Sequence, residues 1–359
     1  MKENKMLKFA LVGCGRIAKR HSELLGLNQI ENASLVAVCD IIESKAKEKG
    51  EQYNIPYYTD MDEMMKNEDI DVVSVLSESG YHAKHVINLA KYGKHIVVEK
   101  PMALTLDDAD AMIKACDENN ARLFVVKQNR FNVPVVKLRE ALEADRFGKL
   151  VLGTIRVRWC RDQNYYDQAD WRGKWSMDGG VLTNQASHHV DLLEWMMGDV
   201  ESVFAKSTTA LVDIEAEDTA IVTLKFKNGA LGIIEATTAV RPKDLEGSIS
   251  VLGEKGTVEI GGFAVNKMLH WNFQEEIEGD DRVMEDYSVN PPNVYGFGHQ
   301  AYYEHVVDSI LNNKAHLVDG LVGRKSLELV TAIYESIETG KEVFLRFKPT
   351  KCKLGQLSE

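Results

Sequence analysis

Two patterns of apolar positions follow one another along the chain. Up to about residue 126, short apolar runs such as 7–12 and 34–39 alternate with stretches of helical periodicity. This alternation is typical of βαβ units that build a parallel sheet. Thr105, followed three residues later by Asp108, predicts the capped N-terminus of one of these helices.

After about residue 127 the pattern changes. An amphipathic stretch is followed by consecutive strand-like runs, which predict a largely antiparallel sheet flanked by further helices. The predicted strands lie at 150–159, 202–210, 218–226, 230–239, 247–252 and 256–260, and the helices at 134–144, 188–197, 300–312 and 323–339. A chain of 359 residues exceeds the usual size of one core, so we expect two domains, at residues 1–126 and 127–359.

Charge and cysteine content narrow the function classes. Lys and Arg number 43 against 55 Asp and Glu, a net charge of −12, which disfavours nucleic acid and anionic membranes as partners. No apolar run approaches the roughly 20 residues that span a bilayer. The five cysteines form no CxxC pair and no zinc-ligand spacing. We therefore expect no metal site, and a reducing, cytoplasmic location.

A glycine turn joins the first strand to the first helix. Gly13-x-Gly15-x-x-Ala18 supplies a tight turn, a backbone that a pyrophosphate can approach and a small residue for close packing. Alone, this string also fits a simple turn. Its place after the first strand, with Asp40 ending the second, predicts a Rossmann dinucleotide site. Asp40 can accept hydrogen bonds from both ribose hydroxyls and would repel a 2′-phosphate, so we predict NAD rather than NADP; a solvated strand-end acid is the alternative.

Two segments carry candidate catalytic side chains. Lys100 follows a predicted strand at its carboxyl end, where open α/β sheets bind ligands, although a surface lysine fits equally well. His188 lies four residues after Asn184 and three before Asp191, so a helix beginning by 184 would place the three near one face. His189 points about a hundred degrees away, so the two histidines cannot readily chelate one metal. A histidine near neutral pKa suits proton removal from an alcohol, but a lone helical histidine is more often structural.

Together these motifs resemble the Gfo/Idh/MocA oxidoreductase family over essentially the whole chain. The resemblance rests on Gly13–Ala18, Glu99-Lys100-Pro101, Gln128–Phe131, and Gly179-Gly180 with His188 and Asp191. It implies an α/β fold, with an N-terminal Rossmann domain and a C-terminal α+β domain carrying a large, mostly antiparallel open sheet. It also implies an NAD-dependent oxidoreductase acting on CH–OH groups, with Lys100 and His188 as the catalytic pair. The implied cofactor-binding residues are Gly13, Gly15, Arg16, Ile17, Asp40, Ser77, His82, Glu99, Lys100 and Gln128.

A narrower resemblance is to the WlbA-type UDP-N-acetyl-2-amino-2-deoxyglucuronate dehydrogenases. It rests on the stretches 125–130, 161–167, 171–175, 178–191, 266–273 and 294–299. These enzymes oxidise the 3-hydroxyl of UDP-N-acetylglucosaminuronic acid (UDP-GlcNAcA) in the assembly of surface polysaccharide such as lipopolysaccharide O-antigen, and some reoxidise bound NADH with 2-oxoglutarate. The resemblance implies a UDP-linked uronic acid substrate, and a sheet used face to face would make a homodimer or homotetramer.

A diphosphate and a carboxylate need local cations in so acidic a chain. Arg161 and Arg172 are interleaved with tyrosines and tryptophans, and arginine forks suit these anions as aromatic faces suit uracil and sugar. A solvated amphipathic loop is the alternative. The predicted substrate-binding residues are Lys100, Asn129, Arg130, Arg161, Tyr165, Tyr166, Arg172, Asn184 and His188. Many relatives carry aspartate at the position of Asn184, whereas the WlbA pattern shares asparagine, which leaves open the residue that accepts the proton.

Three other functions remain open. A dehydrogenase of another sugar or cyclitol, of the inositol type, would need no diphosphate site, which the cationic segment 161–175 disfavours. An NAD-dependent glycosidase would use transient oxidation without net NADH. A non-catalytic NAD-binding regulator is disfavoured by the presence of both Lys100 and His188.

Overall fold

The chain folds, in a computed structural model, into two units that each have their own sheet. The structure describes residues 5–288, 298–346 and 353–355. The first unit comprises Met1–Lys127 with His299–Lys325, and the second Gln128–Gly298 with Ser326–Glu359. Within the described ranges, no helix combines the length and apolar character that crossing a membrane requires.

A six-stranded parallel sheet forms the first unit. Its elements are β1 (Leu7–Val12), α1 (Ala18–Gly26), β2 (Ala33–Cys39), α2 (Glu43–Tyr53), β3 (Tyr57–Tyr58), α3 (Met61–Asn67), β4 (Val72–Val75), α4 (His82–Ala90), β5 (His95–Val98), α5 (Leu106–Glu118) and β6 (Leu123–Val125). The strand order is β3-β2-β1-β4-β5-β6, and each pairing is parallel. This order confirms the Rossmann prediction, and it reverses beside β1. At such a reversal, open α/β sheets bind their ligands at the carboxyl ends of the strands.

The central strands of this sheet are buried on both faces. Phe9, Val73 and Val97 are each fully buried, as expected where helices cover both sides of a parallel sheet. The predicted cap of α5 is confirmed, because Thr105 Oγ1 accepts a hydrogen bond from the Asp108 N–H at 3.1 Å and donates to the Asp108 carboxylate at 2.8 Å. These interactions fix the N-terminus of α5, the helix that follows β5 in the chain.

An eight-stranded sheet forms the second unit. The elements that follow β6 are α6 (Val133–Glu143), β7 (Leu150–Arg158), α7 (Gln163–Tyr166), α8 (Ser187–Met197), β8 (Val200–Thr208), β9 (Thr219–Phe226), β10 (Leu231–Thr237), β11 (Glu246–Gly253), β12 (Gly256–Gly261), β13 (Lys267–Phe273), α9 (Val283–Asp286), α10 (Gly298–Leu311), α11 (Gly320–Thr339) and β14 (Val343–Phe344). The order is β13-β12-β11-β7-β10-β9-β8-β14, antiparallel except between β7 and β10. The predicted, mostly antiparallel sheet is confirmed.

Helix α8 lies closely on strand β7. A Cβ at Gly153 would lie 2.6 Å from Met197 Cγ and 2.8 Å from Leu193 Cδ1, so this glycine allows the close approach. On β9, Val222 and Leu224 are buried whereas Ile221 is 58% exposed, the alternation of a sheet with one face packed and one open. The buried face of the sheet therefore holds the helix that carries His188.

Candidate active site

The glycine turn has the geometry that a dinucleotide needs. Gly13 has φ +101°, and a Cβ there would lie 2.7 Å from the carbonyl of Leu76, so a side chain is excluded by both conformation and space. No atom lies within 4 Å of the position that a Cβ of Gly15 would take. Ala18 opens α1 and is fully buried. The turn thus leaves an open approach to the N-terminus of α1, which suits a pyrophosphate. Arg16 and Ile17, two of the predicted cofactor-binding residues, lie in this turn; Arg16 is exposed and Ile17 is half-buried.

Asp40 is anchored to this turn. Its Oδ2 accepts a hydrogen bond from the Cys14 N–H at 2.7 Å, and its Oδ1 accepts one from the Ile42 N–H at 2.8 Å. A carboxylate offers about four lone-pair positions, so acceptor capacity for ribose hydroxyls is retained. Burial and the Asp40 charge raise the pKa of the Cys14 thiol to about 12, so the thiol stays protonated. The open glycine turn and the position of the Asp40 carboxylate together fit the binding of NAD.

Lys100 directly follows Glu99, whose carboxylate is buried in the first unit. The Glu99 N–H continues the sheet by donating to the Val75 carbonyl at 3.0 Å. Glu99 Oε2 accepts a hydrogen bond from the Lys100 N–H at 2.9 Å, and Oε1 lies 3.0 Å from His21 Nε2. The other His21 nitrogen lies 2.6 Å from the hydroxyl of Tyr303. A buried chain of hydrogen bonds therefore links the backbone of Lys100 to helix α1.

The charge in this network resides on Glu99. Burial tends to raise the pKa of Glu99, but hydrogen bonds from His21 and His299 outweigh it and hold that pKa well below its ordinary value. Burial lowers the pKa of His21, which favours a neutral ring that donates from Nε2 to Glu99 and accepts from Tyr303. The nearest ligand atoms of His21, Glu99 and His299 lie within 4.8 Å of one another, a spacing that a metal ion could also use. The hydrogen bonds account for the grouping.

His82 and Ser77 lie in the same unit as Lys100. His82 Nδ1 lies 2.8 Å from the Pro101 carbonyl oxygen, and Nε2 lies 2.9 Å from the Ser77 carbonyl oxygen. The Ser77 hydroxyl pairs with His85 Nδ1 at 2.9 Å. His82 therefore connects the loop after β4 to the turn that carries Lys100.

His188 lies against Gln128 in the second unit. The two Nε2 atoms are 2.9 Å apart, so the amide N–H donates to the imidazole, which accepts at Nε2. Gln128 lies in a short 3-10 turn that also holds the half-buried Asn129. His189, by contrast, is buried and burial lowers its pKa to about 4, so it is neutral and separate from this contact. Gln128 was predicted to bind cofactor, and the structure places its amide on the candidate base.

Arg130 pairs with Asp191, three residues after His188. Two N–O distances of 2.8 Å form a forked ion pair, and the Ser326 hydroxyl donates to the same carboxylate at 2.6 Å. The guanidinium also lies over Trp195, 4.7 Å from the ring centroid. Arg130 is 8% exposed. The structure therefore gives this predicted substrate ligand a protein partner that ties the 3-10 turn to α8.

Asn184 lies before helix α8, which begins at Ser187. This start agrees with the predicted helix at 188–197, and the condition that the helix begin by 184 is not met. The preceding turn is held by other bonds, since the Leu182 N–H donates to Glu217 Oε1 at 2.9 Å. Asn184 therefore does not share the helical face of His188. Its amide instead donates to both carboxylate oxygens of Asp178, at 2.6 Å each. Asp178 supplies the negative charge that Asn184 lacks.

The predicted cationic segment combines rings and guanidinium groups. Arg161 is paired with Asp244 at 2.9 Å. Arg172 lies over the Tyr165 ring at 4.1 Å, and its buried Nε has no hydrogen-bond partner among the residues described. Tyr166 is buried, its hydroxyl pairs with Thr238 at 3.2 Å, and burial raises its pKa to about 12. Arg172 is thus the guanidinium of this segment best suited to receive an anion.

Several residues of these networks were missed from the sequence. His21 had a signal, since it lies three residues after Ala18 and four before Leu25, at helical spacing from two apolar residues. Glu217, whose pKa burial raises to about 7, had none, because no local pattern predicts a buried acid. Of the segments that carry the narrower resemblance, 294–297 lies outside the described residues. Lys100 belongs to the first unit and His188 to the second.

Comparisons with known proteins agree with this reading. Residues 7–127 match the NAD-binding Rossmann fold of the Gfo/Idh/MocA oxidoreductase family, and residues 139–345 match its C-terminal alpha/beta domain. A myo-inositol 2-dehydrogenase from Thermotoga maritima is 34% identical over 70% of this chain and 74% of its own length.

Two similar solved structures are WlbA dehydrogenases in complex with NADH and UDP-GlcNAcA. The one from Bordetella pertussis is 42% identical with a TM-score of 0.90, covering 95% of this chain and 98% of its own. The one from Chromobacterium violaceum is 42% identical with a TM-score of 0.89, covering 96% and 97%. The chain is a member of the Gfo/Idh/MocA family of NAD-dependent oxidoreductases.

Proposed function

We propose that this member of a family of NAD-dependent sugar dehydrogenases oxidises the 3-hydroxyl of UDP-GlcNAcA to a ketone. The observation that carries the proposal is the 42% identity, over nearly the full chain, to two WlbA dehydrogenases solved with NADH and UDP-GlcNAcA. An identity of this size, with a TM-score near 0.9, makes a shared substrate class the simplest expectation.

The proposed chemistry divides the work between cofactor and side chains. NAD, bound at the glycine turn with Asp40 on its ribose, supplies the hydride acceptor. Lys100 donates a hydrogen bond to the 3-hydroxyl oxygen and stabilises the negative charge that develops there. His188 takes the hydroxyl proton as the C3–H bond gives up its hydride. The amide of Gln128, 2.9 Å from His188 Nε2, donates to the lone pair that the ring uses as a base, so the substrate hydroxyl must take the place of this amide before its proton is transferred.

The contacts of the second unit support an anionic sugar nucleotide. Arg172 presents a guanidinium stacked on Tyr165, a geometry that suits a carboxylate or phosphate. The Asp178 carboxylate orients Asn184, whose amide oxygen is then directed away from that acid. We assign both side chains to the substrate, with Tyr165 and Arg161 beside them.

A second candidate is a cyclitol dehydrogenase. The myo-inositol 2-dehydrogenase of Thermotoga maritima, 34% identical to this chain, favours it. A free cyclitol carries no diphosphate or carboxylate, so it would leave the guanidinium of Arg172 without an anion. This is why we prefer the sugar nucleotide.

A substrate panel tests the proposal. Purified protein with NAD is tested against UDP-GlcNAcA, UDP-GlcNAc, glucuronic acid and myo-inositol. Turnover is measured by absorbance at 340 nm without 2-oxoglutarate, and by mass spectrometry of the oxidised product when 2-oxoglutarate is added to reoxidise bound NADH. We expect kcat/KM for UDP-GlcNAcA to exceed the other values at least a hundredfold, and loss of turnover in Lys100→Ala and His188→Ala with NAD binding retained. A preference for myo-inositol would overturn the proposal and favour the cyclitol enzyme.

The wider setting follows from the same proposal. A 3-keto sugar nucleotide is an intermediate suited to later amination in surface polysaccharide assembly, so we place the enzyme in that process. We also propose a homodimer or homotetramer in the cytoplasm.

A further inference from the structure

The ring of His82 is held between two backbone carbonyl groups. Nδ1 lies 2.8 Å from the Pro101 oxygen, and Nε2 lies 2.9 Å from the Ser77 oxygen. The side chain is 1% exposed, so water does not separate either pair of atoms. Both distances are those of ordinary hydrogen bonds.

A carbonyl oxygen can only accept a hydrogen bond. A neutral imidazole has one N–H donor and one acceptor nitrogen, whereas both nitrogens donate in the imidazolium form. A neutral His82 would therefore set a nitrogen lone pair against a carbonyl lone pair at less than 3 Å, with no solvent to relieve the repulsion. Two donors, and hence a positive charge, satisfy both contacts.

The surrounding charges decide whether such a cation is tolerable. Burial, the largest influence, and the Lys100 ammonium lower the pKa of His82 below its ordinary 6.5, although the two carbonyl contacts and the Glu99 carboxylate raise it. The lone-pair repulsion that a neutral ring would suffer at both carbonyls acts against this net shift. The N-terminus of α4, which begins at His82, also disfavours a cation. His85, a further titratable residue of α4, has a pKa lowered by its own burial and is neutral at pH 7.

Glu99 supplies the counter-charge. Its carboxylate is buried, and its pKa is held well below the ordinary value. A buried carboxylate is strongly disfavoured unless a cation or several donors accompany it. A cation at His82 would balance the anion at Glu99, and neither charge would then be isolated.

We propose, on the basis of the function proposed above, that His82 is a buried imidazolium that positions Lys100. Its two N–H groups clamp the Pro101 carbonyl, one residue after Lys100, to the Ser77 carbonyl in the loop after β4. Its charge lowers the pKa of the Lys100 ammonium. The lysine is thereby held at a fixed place and, as a more acidic ammonium, donates a stronger hydrogen bond to the substrate oxygen than an isolated lysine would.

Nuclear magnetic resonance of the full chain labelled with nitrogen-15 histidine tests the charge directly. We expect both ring nitrogens of His82 to carry a proton at pH 7.5, about one unit above the ordinary histidine pKa. His82→Gln assigns the signal by its loss, and contacts to Pro101 protons assign it in the wild type if that variant does not fold. A ring with one protonated nitrogen at pH 7.5 would overturn the proposal.

A lysine titration tests the consequence for Lys100. With carbon-13 lysine labelling, the pKa of Lys100 should rise by about one unit in His82→Gln, because a neighbouring cation is removed. The matched control is His85→Gln, which removes a half-buried histidine of the same helix that does not bridge two carbonyls and should leave this pKa unchanged. An unchanged Lys100 in His82→Gln would contradict the coupling. Both readouts are independent of turnover, so they can succeed or fail separately from the proposed reaction.

Discussion

The guanidinium of Arg130 and the carboxylate of Asp191 form a forked ion pair with both N–O distances at 2.8 Å, across 61 residues of sequence. Arg130 is 8% exposed and Asp191 2%. Asp191 lies one turn after His188 on helix α8. The ion pair therefore fixes α8, which carries the proposed base, to the 3-10 turn that holds Gln128. The ion pair thus orders the second unit around His188.

Removing Asp191 should therefore be costly. We expect Asp191→Ala to lower the free energy of unfolding by about 3–5 kcal/mol, because a buried guanidinium is left without its counter-ion. Urea denaturation followed by circular dichroism measures the change. Glu201→Ala is the control, since it breaks a half-exposed pair with Lys225 at 3.1 Å and should cost under about 1 kcal/mol. Equal effects of the two substitutions would contradict the assignment.

Glu217 should make stability depend on pH. Burial raises its pKa to about 7 from an ordinary 4.5, so the folded state holds a proton that the unfolded state releases. This contribution is fully present below about pH 4.5 and is lost as pH rises through about 7, a change of about 3 kcal/mol. Unfolding measured from pH 4.5 to 8 should show this fall in the wild type and lose it in Glu217→Gln.

The comparison variant for this prediction is Glu285→Gln, which replaces an exposed glutamate of helix α9. Its stability profile should follow that of the wild type. A profile of Glu217→Gln that also follows the wild type would show that Glu217 does not titrate in this range.

Activity should tolerate an exchange of the Asn184 and Asp178 residue types only when both are exchanged together. Asn184→Asp removes the donor that contacts both Asp178 oxygens at 2.6 Å and sets two carboxylates against each other. We expect kcat/KM at pH 8 to fall about tenfold to a hundredfold, equivalent to roughly 1–3 kcal/mol. The double substitution Asp178→Asn with Asn184→Asp restores one donor and one carboxylate, and it should recover most of the loss. No recovery would mean that the residues act independently.

Arg172 should distinguish charged from neutral sugar nucleotides. Arg172→Ala is expected to raise KM for UDP-GlcNAcA about tenfold more than KM for UDP-GlcNAc, because the two differ by one carboxylate. Steady-state kinetics with both substrates measures this difference. Lys174→Ala is the control, as an exposed neighbouring cation. A similar change in both KM values would assign Arg172 to the diphosphate, and no change would remove it from the site.

The elements that rest on local signals could be predicted from the sequence. The strand alternation, the turn at Gly13 and the cap at Thr105 each depend on residues a few positions apart, and each is found in the structure. The turn that precedes α8 could not be predicted in this way. It is held by Glu217, distant in sequence, which accepts the N–H of Leu182.

The partners that the candidate residues contact from distant parts of the chain could not be predicted from the sequence either. The spacing of His188 and Asp191 placed both on one helical face, but nothing local indicated that Arg130 would be held by Asp191 rather than exposed. The same is true of the His82 ring, whose two carbonyl partners come from separate loops. Burial and distant hydrogen bonds, which no periodicity encodes, decide these roles.

The central claim is hydride removal from C3 of UDP-GlcNAcA, and isotope transfer tests it most directly. UDP-GlcNAcA carrying deuterium at C3 is incubated with the enzyme and NAD, and the nicotinamide and sugar products are analysed by mass spectrometry. The account predicts deuterated NADH and a 3-keto sugar nucleotide that has lost the label, with neither formed by Lys100→Ala. Unlabelled NADH from this substrate, or recovery of the label at C3 after turnover, would contradict it.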